Sequence, residues 1–189
     1  LEFPVLFLGA KPEKTPALYS LMNYADMAVG TWYPVGGMHE IVKAMVSVAE
    51  EQGVEFIYNA EVTGFSMNGC KIDAVETAQG TFEADVVVGG ADYHHLDQHV
   101  VPQGFKQYSK EYWDSRVMAP SSLIFYLGIN KKLKKLLHHN LFFDADFGLH
   151  ADEIYENPKW PTNPLFYVSA PSQTDDTVAP EGHENIFIL

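Results

Sequence analysis

The chain has 189 residues, 47% of them hydrophobic and 20% charged, which is enough apolar material for a packed core and excludes an intrinsically disordered chain. Its formal net charge of −13 repels phosphate backbones and argues against a nucleic-acid partner. The single cysteine, Cys70, excludes a disulfide framework and fits a reducing cytosol.

Residues 3–9, FPVLFLG, form an apolar run that reads as a strand or a buried turn. Thr15 then stands as an N-cap with Pro16 at the first helical position, and Leu18, Leu21, Met22 and Ala25 recur at helical spacing until Gly30. The stretch "GTWYPVGGMHE" brings Pro34 and the pair Gly36-Gly37 to the mouth of a second helix. Ile41, Met45, Val48 and Ala49 share its apolar face, Lys43, Ser47, Glu50 and Glu51 its polar one, and Gly53 ends it. Strands are predicted at 54–58 and 61–66, with Asn68-Gly69 as a hairpin turn. A further strand follows, then a turn at Gln79-Gly80. The run DVVVGG at 85–90 reads as a strand buried on both faces. Residues 92–101 predict a short helix capped by Asp92. A helix or turn precedes Pro120, and SLIFYLGI, NLFF and LFYVSA predict strands. The chain opens on Leu1 and closes on ENIFIL, an unfinished strand, so an internal piece of a longer protein is expected. No stretch of 18 apolar residues or signal peptide is present.

Four stretches invite a chemical reading. The glycine pair lacks the G-x-G-x-x-G of a dinucleotide site and the lysine of a P-loop, so a tight turn that lets the helix pack closely is expected. His94, His95, Asp97 and His99 form the second group. His95 and His99 stand four apart on the predicted helix, as metal ligands can, but no third ligand is fixed by spacing; His138, His139 and His150 add little. Asp144, Asp146, Asp152 and Glu153 offer an acid–base pair or a calcium loop, but the EF-hand pattern fails and a solvated loop is expected. Ser121 and Ser122 lack a nucleophile elbow. Apart from these, the basic run Lys131-Lys132-Leu133-Lys134-Lys135 is either a solvated helix face or a contact for anionic lipid.

The ordered series "GTWYPVGGMHEIVKAMVSVAEEQGVEFIYNAEVTGF" followed by "FEADVVVGGADYHHL" resembles the interior of the carotenoid (phytoene) desaturase family, within the amine-oxidase-like flavoprotein group. "RVMAPSSLIFYLGINKKL", "HHNLFFD" and "PLFYVSAPSQTD" are similar to that family's later strands. The resemblance implies a mixed α+β fold, part of a Rossmann-like FAD-binding domain interleaved with part of a substrate domain of sheet and helices. It assigns 1–30 to the substrate domain, 31–100 to the FAD domain and 101–189 to the substrate domain again. It implies an FAD-dependent oxidoreductase that takes hydrogen from phytoene or a similar polyisoprenoid, with oxygen or a quinone as electron acceptor. A cytoplasmic location with peripheral membrane contact follows from the lipid-borne substrate. Val62, Ala91 and Asp92 match cofactor-facing positions, and Asp92 and His94 are the candidates for acid–base work. Phe125, Tyr126, Phe142, Phe143, Phe166 and Tyr167 are candidates to line a polyene tunnel, and no metal is implied. The phosphate-binding glycine motif of such enzymes is absent from this chain, and turnover by this piece alone is not expected. A carotenoid isomerase, an amine oxidase, or a non-catalytic metal-binding module built on the histidines stand as alternatives.

Overall fold

The structure, a computed structural model, describes residues 10–189; the apolar run 3–9 lies outside them. Both helices and sheets are present, as expected of a mixed α+β chain, and they fall into two compact units. One unit runs to Gln52 and resumes over Ala119–Leu189; the other is Gly53–Met118.

In the first unit, a helical stretch over 17–29 tightens at Ala17–Ser20, is regular in α1 (Leu21–Tyr24) and widens to a π-type turn at Ala25–Val29. Thr15 does not cap it. Its backbone is extended and its hydroxyl donates to the Lys11 carbonyl at 2.9 Å, so Pro16 takes the cap position. Gly30 ends the stretch at φ +85°, where a side chain would be strained. Helix α2 (His39–Glu51) follows the predicted pattern, and Gly53 adopts φ +84° just past its end. Its apolar stripe is exposed, however, with Met45 69% and Val48 59% accessible among the described residues.

The sheet of this unit has the order β4-β7-β6-β5, all neighbours antiparallel, from β4 (Phe125–Ile129), β5 (His139–Phe142), β6 (Phe166–Ser169) and β7 (Glu184–Ile188). The closing run, expected as an unfinished strand, lies inside the sheet, paired to β4 on one side and β6 on the other. Alternation along the strands sets Val168, Ala170 and Ile186 on one face, where Ile129, Leu133, Leu136 and Ile188 pack against them. The lysine run is therefore not a helix. It lies in the β4–β5 connection, where Leu133 and Leu136 turn inward to this core while the lysines stay exposed.

A buried carboxylate holds this core to its neighbours. Glu184 accepts from the Ser172 hydroxyl, from Gln173 Nε2 at 2.7 Å and from the Leu133 amide at 3.1 Å, with Lys132 Nζ at 3.7 Å. Burial pushes its carboxyl up, but these hydrogen bonds and the lysine outweigh that and hold it below the usual range.

The second unit contains an antiparallel meander, β1 (Val62–Asn68), β2 (Lys71–Thr77) and β3 (Gly80–Glu83). The loop lies one residue beyond the expected Asn68-Gly69 pair: Asn68 pairs with Lys71, and Gly69, at φ +61°, and Cys70 form the two-residue hairpin loop. The strands expected at 54–58 and 85–90 do not form. A strand exists only where a neighbouring backbone pairs its amides and carbonyls, and no described strand does so here. Val86 and Val88 stand 78% and 87% exposed.

Candidate functional site

In the second unit, the predicted site residues gather around the helix after the 85–90 run. Asp92 caps that helix as expected, its Oδ1 accepting from the His95 amide at 2.8 Å. The helix runs through α3 (Tyr93–His95) into a π-type turn at Leu96–Val100. Wide turns shift side-chain spacing, so both His94 and His95 come near His99, with ring centroids 6.1 and 5.3 Å apart. His94 also packs edge-on against Trp113 at 5.1 Å. Among the described residues no three His, Cys, Asp or Glu side chains converge as a metal site.

The residue that organises this region is the carboxylate of the histidine group, which acts as a structural hub and not as a metal ligand. Asp97, 2% exposed, accepts from Trp113 Nε1 at 2.9 Å, the Gln107 amide at 2.7 Å and Gln98 Nε2 at 2.8 Å. Burial raises its carboxyl, and this set of donors more than reverses the effect. It fixes Trp113, and Trp113 in turn fixes His94. Val62 opens β1, which among the described residues is an edge strand paired only with β2. An edge strand carries backbone donors and acceptors on its open side. Ala91 and Asp92 are exposed at the helix mouth.

In the first unit, the glycine pair is not a phosphate cradle. Residues 34–37 form a turn closed by the Gly37 amide on the Pro34 carbonyl at 3.1 Å, with Gly36 at φ +91° and Gly37 at φ +98°. The Gly36 amide donates to Asp175 Oδ2 at 2.7 Å. A carboxylate already holds the donor a phosphate would need, and its charge repels another anion. A Cβ on Gly36 would stand 3.0 Å from Glu40 Cγ, so close packing onto α2 is the second reason for glycine there.

The predicted carboxylates each have a local task. Asp146 caps α5 (Phe147–Ala151) through the Leu149 amide, Asp152 pairs with Lys11, and Asp144 lines an open depression with Asp146, His150, Glu153 and Phe166. Glu153 is 4% exposed. It accepts from Lys159, 2.9 Å away, and from the Thr162 hydroxyl and amide, both at 2.7 Å. These donors draw its carboxyl down to about 2. A carboxyl lowered on folding stabilises the fold above its unfolded value of 4.5 and loses that contribution as pH falls toward about 2. Glu153→Gln is therefore expected to be less stable than the wild type at neutral pH, with the gap closing between those two values in denaturation curves taken across pH. A gap that does not change with pH would contradict this.

The six aromatic candidates fall on both faces of the four-stranded sheet. Phe125, Phe142 and Phe166 share the core-side face, where Phe142 and Phe166 stack at 4.7 Å. Phe143, past the end of β5, meets Phe147 at 6.1 Å. Tyr126 and Tyr167 lie on the opposite face, where Phe187 and His139 join them into a row that crosses all four strands. Ring centroids run Tyr126 to Phe187 at 5.4 Å, Phe187 to Tyr167 at 6.2 Å, and Tyr167 to His139 at 6.0 Å. The row continues through His138 at 4.4 Å to Tyr33 at 4.6 Å. His139 Nδ1 and the Tyr167 hydroxyl lie 2.6 Å apart, and His138 Nδ1 and the Thr174 hydroxyl likewise. Burial, then the neighbouring His139, lowers the His138 pKa and favours its neutral form. The row carries no carboxylate or ammonium and spans about 14 Å at the roughly 4.8 Å strand spacing of a sheet. Phe187 and His139 were missed in the sequence; strict alternation in ENIFIL and HNLF would reveal them once the register is known.

An aromatic sheet face without carboxylate or ammonium groups is a surface suited to apolar material. The chain matches, over residues 1–187, the family described as flavin containing amine oxidoreductase, and it belongs to that family. It is 40% identical to a carotenoid 3,4-desaturase of Haloarcula japonica over 100% of this chain and 38% of that protein. It is 34% identical to a phytoene desaturase of Cercospora nicotianae over 99% of this chain and 30% of that protein. It is 34% identical to a zeta-carotene-forming phytoene desaturase of Myxococcus xanthus over 100% of this chain and 36% of that protein. The chain thus spans about a third of the length of these curated relatives.

Proposed function

We propose that the whole protein is an FAD-dependent carotenoid desaturase, acting on phytoene or a related polyisoprenoid. The observation that carries this reading is the aromatic row, free of carboxylate and ammonium groups, on one sheet face, in a chain whose relatives are named carotenoid and phytoene desaturases. When bound, the flavin supplies a two-electron acceptor for hydride from an allylic carbon, with a proton lost from the neighbouring carbon as the double bond forms. The residues of this chain hold and shield the substrate. Tyr126, Phe187 and Tyr167 form an apolar wall for the polyene and exclude water from it. Phe125, Phe142 and Phe166, with Phe143 nearby, are a second candidate lining on the other face.

The cofactor fits the other unit in two respects. Val62 lies on an open strand edge where backbone groups can meet an adenine, and Ala91 and Asp92 are accessible at the helix mouth. The pyrophosphate does not fit the Gly36-Gly37 turn, because Asp175 occupies it; we assign it to a part of the protein outside this chain. On this reading 31–100 serves the FAD domain and 1–30 and 101–189 the substrate domain. Asp92 and His94 are the candidate proton acceptors. Oxygen or a quinone regenerates the flavin, and the protein works in the cytoplasm at a membrane surface that supplies its substrate. No helix among the described residues is long and apolar enough to cross a membrane.

Purification of the full-length protein tests this reading. It is expected to carry FAD and to convert phytoene, supplied in lipid, to more strongly coloured polyenes by chromatography and absorbance. FAD-loaded protein that leaves phytoene and its partly desaturated products unchanged would refute the substrate assignment, and oxidation of a simple amine instead would favour the amine oxidase alternative.

A further inference from the structure

The acidic chain spends most of its few cations on partners. Lys11, Lys14, Lys43, Lys110 and Lys159 each reach a carboxylate. Lys106 donates to the Gln98 carbonyl, and the Arg116 guanidinium sits over the Tyr112 ring. Two places depart from this pattern: Lys71 stands singly at the hairpin of the second unit, and the β4–β5 connection gathers several. Lys131, Lys134 and Lys135 are exposed and make no hydrogen bond or ion pair with any described residue. With 25 Asp and Glu in the chain, three lysines within one five-residue run without a carboxylate partner call for a different counter-charge.

The loop that carries them is pinned. The Leu133 amide donates to Glu184, and its carbonyl accepts from Gln173 Nε2 at 3.3 Å. The Leu136 amide closes a turn on that carbonyl at 3.5 Å. Asn140 closes the far end, accepting from the Leu137 amide at 3.0 Å and donating to the Leu137 carbonyl at 2.7 Å. Leu133 and Leu136 pack into the core. Leu137 does not: it is 72% exposed beside the lysines. A fixed loop with free ammonium groups and one outward leucine has the chemistry of a bilayer surface, cations for headgroup phosphates and an apolar side chain for the layer beneath.

We propose that residues 131–137 dock the protein on an anionic lipid bilayer. This rests on the membrane reading above and names the part of the chain that makes the contact. Duplex nucleic acid is the weaker match. The net charge of −13 opposes both anionic surfaces alike, but a duplex has no use for the exposed leucine.

The test is cosedimentation of the full-length protein with vesicles of phosphatidylcholine containing one-third phosphatidylglycerol. The variant is the triple Lys131→Glu, Lys134→Glu, Lys135→Glu. Lys132 is kept because it neighbours Glu184. Since each lysine near such a surface contributes about fivefold, the triple variant is expected to partition at least about a hundredfold more weakly. Wild-type binding is expected to fall with added salt and to be lost on pure phosphatidylcholine. Equal partitioning of variant and wild type would overturn the loop assignment and leave the membrane reading standing. Wild-type protein that ignores the vesicles, or that binds duplex DNA in preference to them, would overturn both, and carotenoid conversion in detergent would still be testable separately.

Discussion

Replacing Glu184 by alanine is expected to be the most damaging single change in the described chain, costing about 3–5 kcal/mol of folding stability. The side chain is 1% exposed. Its loss leaves the Ser172 hydroxyl and the Leu133 amide without an acceptor and Gln173 Nε2 with only the Leu133 carbonyl, in a place water does not readily reach. Each buried polar group left unsatisfied costs about 1–3 kcal/mol. Glu184→Gln keeps the shape and the acceptor oxygen but loses the charge that strengthens these bonds, so a smaller loss of about 1–2 kcal/mol is expected. Chemical denaturation monitored by circular dichroism gives both values. An alanine variant as stable as wild type would mean that Leu133 and the β4–β5 loop are held by packing alone.

Tyr126→Asp is expected to lower kcat/KM for a polyene substrate about a hundredfold, corresponding to roughly 3 kcal/mol for setting a carboxylate against an apolar chain. The fold should tolerate it, because Tyr126 is 78% exposed among the described residues and its main ring contact, tilted against Phe187, lies at the surface. Tyr126→Phe keeps the ring and is expected to retain near-full activity. Unchanged FAD content and an unchanged denaturation midpoint, measured alongside, separate a lost substrate wall from a misfolded protein. If Tyr126→Asp turns over phytoene as wild type does, the outward sheet face is not the wall, and Phe125, Phe142 and Phe166 become the set to test.

What was legible in the sequence depended on how far apart the interacting groups lie in the chain. Helix α2, its glycine terminus, the hairpin turn and the Asp92 cap were all readable, because each is decided within a few residues. The strands expected at 54–58 and 85–90 failed for the opposite reason. Their composition suits a strand, but a strand is made by its neighbour, and none of the described residues provides one. The polar hubs were equally hidden. Asp175 and Gly36 are separated by 139 residues and Glu184 and Leu133 by 51, so no local pattern announces them. The aromatic candidates show a mixed outcome. Their apolar character was evident, but their division between two faces follows from the register of β4 with β7 and of β6 with β5, which sequence alone does not set.

The most direct measurement of carotenoid desaturation is an anaerobic single turnover. Full-length protein loaded with FAD is mixed with phytoene in vesicles, without oxygen or quinone, while flavin and polyene absorbance are followed together. If the protein is a carotenoid desaturase, the oxidised flavin band bleaches in step with the appearance of a longer-wavelength polyene, one new double bond per flavin reduced. A flavin that stays oxidised under phytoene and under its partly desaturated products, but bleaches on addition of an amine, would contradict it.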